Sequence, residues 1–186
     1  MPNDHEHLPT ARNVHHVSVT VSDLDTVTKF FQETIGCELL YEKGPFGDPD
    51  GDSMTRRLGV HPDAEARLAM LRCGPTMNLE LFEWEAPDQE SEPPKNSDVG
   101  AMHIGLQVDD IEAATEALES DEDVEIMDGP QTNTDGPTAG LRYIFCRTPW
   151  GFQLELLEAP EEMPYTERTD GRLFGPAPSW EHRYDE

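Results

Sequence analysis

Alternation with a period of two dominates this chain, and it is written twice. Across residues 14–24, Val17, Val19 and Val21 fall on one side of an extended segment, and His16, Ser18 and Thr20 on the other. A β-branched apolar face predicts a half-buried strand. Asp23 stops the strand where a helix N-cap belongs. Residues 24–35 then carry Leu24, Val27, Phe30 or Phe31 and Ile35 at helical spacing, closed by Gly36. The same sentence returns at residues 102–111. There Ile104, Leu106 and Val108 share one face, and His103, Gly105 and Gln107 the other. A second echo matches Leu79-Glu80-Leu81 to Leu154-Glu155-Leu156. His16 and His103 are 87 residues apart, Glu80 and Glu155 only 75, so the first copy holds the longer loop. An internal repeat sets the architecture before any other signal.

Each copy reads as strand, helix and three strands, an α+β chain of two tandem βαβββ modules. In the first, residues 37–41 predict a short strand. Residues 42–64 predict a Gly-, Pro- and Asp-rich loop with one helical turn near 53–58, either a pocket lid or a surface insertion. Residues 66–73 and 77–85 predict a strand pair turning at Gly74-Pro75. In the latter strand Met77, Leu79 and Leu81 face one way, Asn78, Glu80 and Phe82 the other. The second copy predicts strands at 103–108, 124–127, 140–146 and 152–158, a helix over 110–118 and a loop over 128–139. Gln153, Glu155 and Leu157 share the face that corresponds to Asn78, Glu80 and Phe82. The expected divisions are a flexible leader 1–11, modules 12–86 and 101–160, a linker 87–100, and a C-terminal strap 161–186. That strap holds Tyr165, Leu173, Phe174, Trp180 and Tyr184, more aromatics than disorder needs. It is expected to pack over the domain or across a dimer.

Charge changes the picture of the environment. The 186 residues include 39 acidic and 13 basic, a formal net charge of −26. The only lysines are Lys29, Lys43 and Lys95. Dense carboxylates keep a protein soluble where salt screens their repulsion, so the composition points to a halophile-like acidic proteome. A plain solvated acidic surface is the alternative. Nucleic acid and anionic membranes are excluded as partners, since both need basic patches. Cys37, Cys73 and Cys146 are expected as buried, reduced thiols of a cytoplasmic protein. No apolar run approaches the length of a membrane span.

Candidate chemistry lies in His16, Glu80, His103 and Glu155. Each stands at the matching place of its module, on the polar face of a strand whose other face packs on a helix. Two carboxylates and two imidazoles facing one interior are costly without a counter-charge. A divalent cation supplies it, and two nitrogens with two oxygens suit Zn, Ni, Co, Mn or Fe. Arg56, Arg57 and Arg142 are candidate anion contacts. His15, His61 and Tyr143 are candidate acid–base groups, though parity places His15 on the packed side of its strand. Phe82 and Trp84 either line a pocket or join the core.

The chain resembles the vicinal oxygen chelate superfamily of glyoxalase I, methylmalonyl-CoA epimerase, extradiol dioxygenases and the fosfomycin and bleomycin resistance proteins. The match is carried by residues 16–24, Leu79-Glu80-Leu81, residues 103–111 and Thr148-Pro149-Trp150-Gly151-Phe152-Gln153-Leu154-Glu155-Leu156. The last resembles an Asp-Pro-x-Gly turn before a metal-ligating glutamate, with Thr148 in place of Asp. The resemblance implies an open half-barrel sheet around one central divalent metal held by His16, Glu80, His103 and Glu155. It implies an isomerase, epimerase or lyase that takes a proton beside a metal-chelated carbonyl, with Glu80 or Glu155 as base. Glu80 discriminates: extradiol dioxygenases match at two His and one Glu on Fe(II), and O2 chemistry wants the fourth position open. A ring-cleaving dioxygenase and a non-catalytic, resistance-type binding protein are the alternatives. The expected partners are a small-molecule substrate and a second copy in a homodimer.

Overall fold

The computed structural model describes residues 11–122 and 124–182. The expected leader, apart from residue 11, and Tyr184 lie outside them. The chain divides into two compact units, residues 1–89 with 180–186, and residues 90–179.

In the first unit, β1 (Val17–Val21) buries Val19 and Val21 and leaves Ser18 and Thr20 exposed, as the alternation requires. The Asp23 carboxylate accepts the Thr26 N–H at 2.9 Å and so caps α1 (Leu24–Phe30). These bonds to Thr26 hold the Asp23 carboxyl below its usual range. The helix does not run on evenly to residue 35. It widens into a π-helical turn, Phe31–Ile35, and stops at Gly36, whose φ of +86° is left-handed. Both Phe30 and Phe31 are buried, their rings edge to face at 5.6 Å.

The next strand, β2 (Glu38–Phe46), ends five residues later than residues 37–41 foretold. Gly44-Pro45 reads as a turn, yet β2 is an edge strand whose pairing has register shifts there, and an edge tolerates proline and bulges. The loop therefore starts later, and α2 (Ser53–Leu58) stands within it as expected. β3 (Glu65–Cys73) and β4 (Met77–Glu85) complete a sheet in the order β1-β4-β3-β2, with β1 parallel to β4. Leu24, Val27, Phe31, Leu71, Leu79 and Leu81 are fully buried, each stabilising by about 1.5–3 kcal/mol.

The second unit repeats the plan. β5 (His103–Gln107) leads to Asp110, whose carboxylate accepts the Ala113 N–H at 2.9 Å and caps α3 (Ile111–Glu119). β6 (Glu125–Ile126), β8 (Arg142–Arg147) and β9 (Gln153–Glu158) follow in the order β5-β9-β8-β6, with β5 parallel to β9. A short β7 (Gln131–Thr132) pairs with β8 inside the stretch expected as loop. The α+β class and the tandem βαβββ plan, with open sheets, are as expected.

One expectation fails. Cys37 and Cys73 are joined in a disulfide, leaving Cys146 as the free thiol. The pairing follows from the neighbouring register, Glu38 opposite Arg72, which brings the start of β2 beside the end of β3. With it goes the cysteine argument for a reducing compartment. In the C-terminal strap only part packs. Trp180 lies on Gly36 and Gly74, and its Nε1–H donates to the Gly36 carbonyl at 2.8 Å. Leu173 and Phe174 are exposed. No helix among the described residues is long and apolar enough to cross a membrane.

Candidate metal and proton-transfer site

Glu80 sits on β4 between Leu79 and Leu81, both fully buried. Those two leucines anchor one face of the strand, and alternation turns Glu80 to the other. Its side chain is 15% exposed, and its Oε2 lies 3.3 Å from His16 Nε2. Across the ladder it stands beside Ser18 on β1 and Met70 on β3. His15 is exposed rather than packed, because β1 begins only at Val17. Its Nδ1 lies 2.8 Å from His16 Nδ1. The Asn78 side-chain amide donates to the His15 carbonyl at 2.8 Å and ties this entry segment to β4. Beyond Glu80, Phe82 and Trp84 stack at 5.1 Å, and Phe46 meets both edge to face.

The second unit builds the same pair. His103 Nε2 lies 3.3 Å from Glu155 Oε2, with Glu155 between the buried Leu154 and Leu156. Gly105 and Phe145 flank Glu155 on the neighbouring strands, and Phe145 meets the His103 ring edge to face at 5.3 Å. The Asn96 Oδ1 lies 3.3 Å from His103 Nδ1. An amide oxygen only accepts, so Nδ1 is the nitrogen that donates to Asn96, which leaves Nε2 as the atom facing Glu155.

A neutral imidazole Nε2 and a carboxylate are both acceptors, so side by side they share either a proton or a metal cation. Two ligand atoms about 2.1 Å from one ion stand about 3.0 Å apart at a right angle and about 3.4 Å apart in a tetrahedron. The 3.3 Å of each pair falls in that range. The donor set therefore fits a divalent cation. The four predicted ligands come together as one His–Glu pair within each unit. Among the described residues no group of three or more His, Cys, Asp and Glu side chains is arranged to hold a metal ion.

The other candidates separate from the pairs. Arg142 is an ion-pair partner of Glu112 and, at 3.2 Å, of Glu158, so it is no anion contact. Its guanidinium holds the Glu112 carboxyl below the usual range. Arg56 lies on α2 at 3.5 Å from Asp52. His61 accepts the Asp63 N–H in its own loop. Tyr143 is half-buried, its ring 6.1 Å from Phe145. Burial pushes the Cys146 thiol up to about 11, which removes it as a nucleophile. Asn96 and Phe46 are additions that periodicity did not signal. Asn96 hides in a polar linker, and Phe46 follows an apparent turn.

A sequence model of the Glyoxalase/Bleomycin resistance protein/Dioxygenase superfamily matches residues 13–156. A 2-epi-5-epi-valiolone epimerase of an Actinomyces species is 49% identical over 177 residues, 95% of this chain and 96% of its own length. A glyoxalase family protein from Bacillus cereus aligns with a TM-score of 0.59 at 19% identity, over 82% of this chain and 99% of that one. A fosfomycin resistance protein from Listeria monocytogenes, solved with Mn(II) and sulfate, aligns with a TM-score of 0.50 at 16% identity, over 83% and 98%. The two structural likenesses concern the fold.

Proposed function

The chain belongs to the Glyoxalase/Bleomycin resistance protein/Dioxygenase superfamily and is an enzyme of the isomerase kind, and we propose that it epimerises a cyclic polyhydroxy ketone beside the carbonyl. The observation that carries this reading is the 49% identity to a valiolone epimerase over 95% of the chain. The paired geometry of histidine and glutamate supports it.

We assign His16, Glu80, His103 and Glu155 to one divalent ion, with Zn, Ni, Co, Mn and Fe all suited to two imidazoles and two carboxylates. Such an ion would supply Lewis acidity, which would make the C–H beside a carbonyl more acidic. The histidines would hold the ion through Nε2, and Asn96 would hold the His103 ring in the orientation that allows it. Glu80 and Glu155 move the protons. One carboxylate takes the proton from the carbon beside the carbonyl, and the other returns a proton to its opposite face. The repeat provides one such carboxylate per module. A homodimer in a salt-rich environment completes the reading. It is supported by the net charge of −26 and by Leu40 and Tyr41, which stand exposed on the edge strand β2.

The test is incubation with 2-epi-5-epi-valiolone in D2O after loading with each of the five ions in turn. One deuterium at the carbon beside the ketone, together with the epimer, is expected, and Glu80→Gln should lower both turnover and metal content. No exchange with any of the five ions refutes the reading.

A further inference from the structure

The sheet of the first unit is longer at one end than its repeat. β2 has nine residues where β6 has two, and β4 has nine where β9 has six. The extra length carries Lys43, Phe46 and Trp84, and position 82 holds Phe82 where the repeat has Leu157. The three rings form one cluster. Phe82 and Trp84 stack with planes 15° apart, and Phe46 abuts them at 6.4 and 6.5 Å. Lys43 Nζ lies 5.3 Å from the Phe46 ring centre and is exposed at the rim. All three rings are only half-buried. Beside them on the same face Ala66 and Leu68, opposite Trp84 and Phe82 in the ladder, are buried.

The repeat acts as an internal control. The second unit builds the same strand order with Leu157 and with no strand beyond Glu158. The module's own packing therefore does not demand these aromatics. They lie on the face that carries Glu80, because residues 80, 82 and 84 alternate to one side. Phe82 is about 7 Å along the strand from Glu80, a distance that one six-membered ring spans.

We propose that Phe82, backed by Trp84 and Phe46, is a subsite for the C–H face of a cyclic polyol. The carbonyl end of the ring would lie at His16 and Glu80, and Lys43 would donate to a hydroxyl at the far end. This inference rests on the epimerase reading and names what holds its substrate. A polyol ring carries its hydroxyls around the rim and C–H bonds on its flat faces. An aromatic face is electron-rich, so it takes the C–H side without stripping water from the hydroxyls.

The experiment compares the wild-type protein with Phe82→Leu, which copies the repeat, and with Trp84→Ala. Saturation-transfer NMR on metal-free protein, irradiating aromatic protons, uses the same valiolone epimer as the probe. Kinetics, metal content and Tm are measured on the metal-loaded proteins. The expected result is saturation of the probe's ring C–H protons by the wild type, more than halved in Phe82→Leu. KM rises about tenfold, the lower end for a lost apolar pocket contact, and the loss falls on KM rather than on kcat or metal content. Unchanged saturation and KM in both variants overturn the proposal, and a fall in Tm alone shows the cluster to be packing. A wild type that binds the probe through these rings without epimerising it leaves the subsite standing and refutes the epimerase. A wild type that neither binds nor epimerises it refutes both.

Discussion

Asn96→Ala isolates the grip on His103 without touching a proposed metal ligand. Asn96 sits in a turn built by other groups. The Lys95 N–H donates to the Asp98 carboxylate at 2.9 Å, the Asp98 N–H to the Lys95 carbonyl at 2.8 Å, and the Ala101 N–H to the Asp98 carbonyl at 3.0 Å. The substitution therefore spares the turn and removes one neutral hydrogen bond, 3.3 Å long and exposed. Such a bond contributes about 1 kcal/mol. Losing it frees the ring to rotate and weakens metal binding about fivefold. Outer-shell partners of metal-bound histidines commonly cost 10–100-fold, and the length and exposure of this bond place it at or below the low end. Asn96→Asp should act in the opposite direction, since a carboxylate on Nδ1–H makes Nε2 a stronger donor to the metal. Zinc competition against a chromophoric chelator measures both, with circular dichroism as the check on folding. If Asn96→Ala keeps wild-type affinity while His103→Ala loses it, Asn96 does not hold the ring.

Alkaline pH should expose the buried thiol. Cys146 is fully buried, and its folded-state value of about 11 lies above the ordinary 9.0. The folded chain thus keeps a proton that the unfolded chain gives up, and this stability is complete below pH 9 and lost as pH rises to 11. The loss is about 2–3 kcal/mol. Denaturant titrations should show Cys146→Ala with a flatter profile across that window, and equal slopes refute the assignment. Trp180→Ala removes a hydrogen bond and the ring that covers Gly36 and Gly74. It should lower unfolding free energy by about 1–2 kcal/mol, Trp180→Phe by less, and an unmoved midpoint in urea counts against the docking.

The sequence was most legible where one face of a strand is buried and the other is not. Val17 to Val21 and Leu79 to Leu81 show this, because a period of two then has a physical cause. β2 was legible only at its start. Most of its residues are exposed, so no alternation marks Tyr41 to Phe46, and Gly44-Pro45 mimics a turn. A strand of two residues, such as β7, is too short to carry a period. The Cys37–Cys73 link needed the β2–β3 register, which spacing alone does not contain. The His–Glu pairs were foreseeable because the repeat marked matching positions. The hold of Asn96 on His103 was not, since it reaches out of a linker with no pattern of its own.

The parallel pairing of first and last strands has a consequence for how the chain can be divided. His16 and Glu80 are 64 residues apart in sequence, and His103 and Glu155 are 52 apart, yet each pair closes to 3.3 Å. Each pair is thus the product of a whole module, and any break inside a module takes its two members apart. A cut between Gln89 and Lys95 falls outside both sheets and leaves each pair in a single fragment. Fragment complementation is therefore possible at that one seam, and a metal-binding assay on the rejoined halves would report whether both modules had closed.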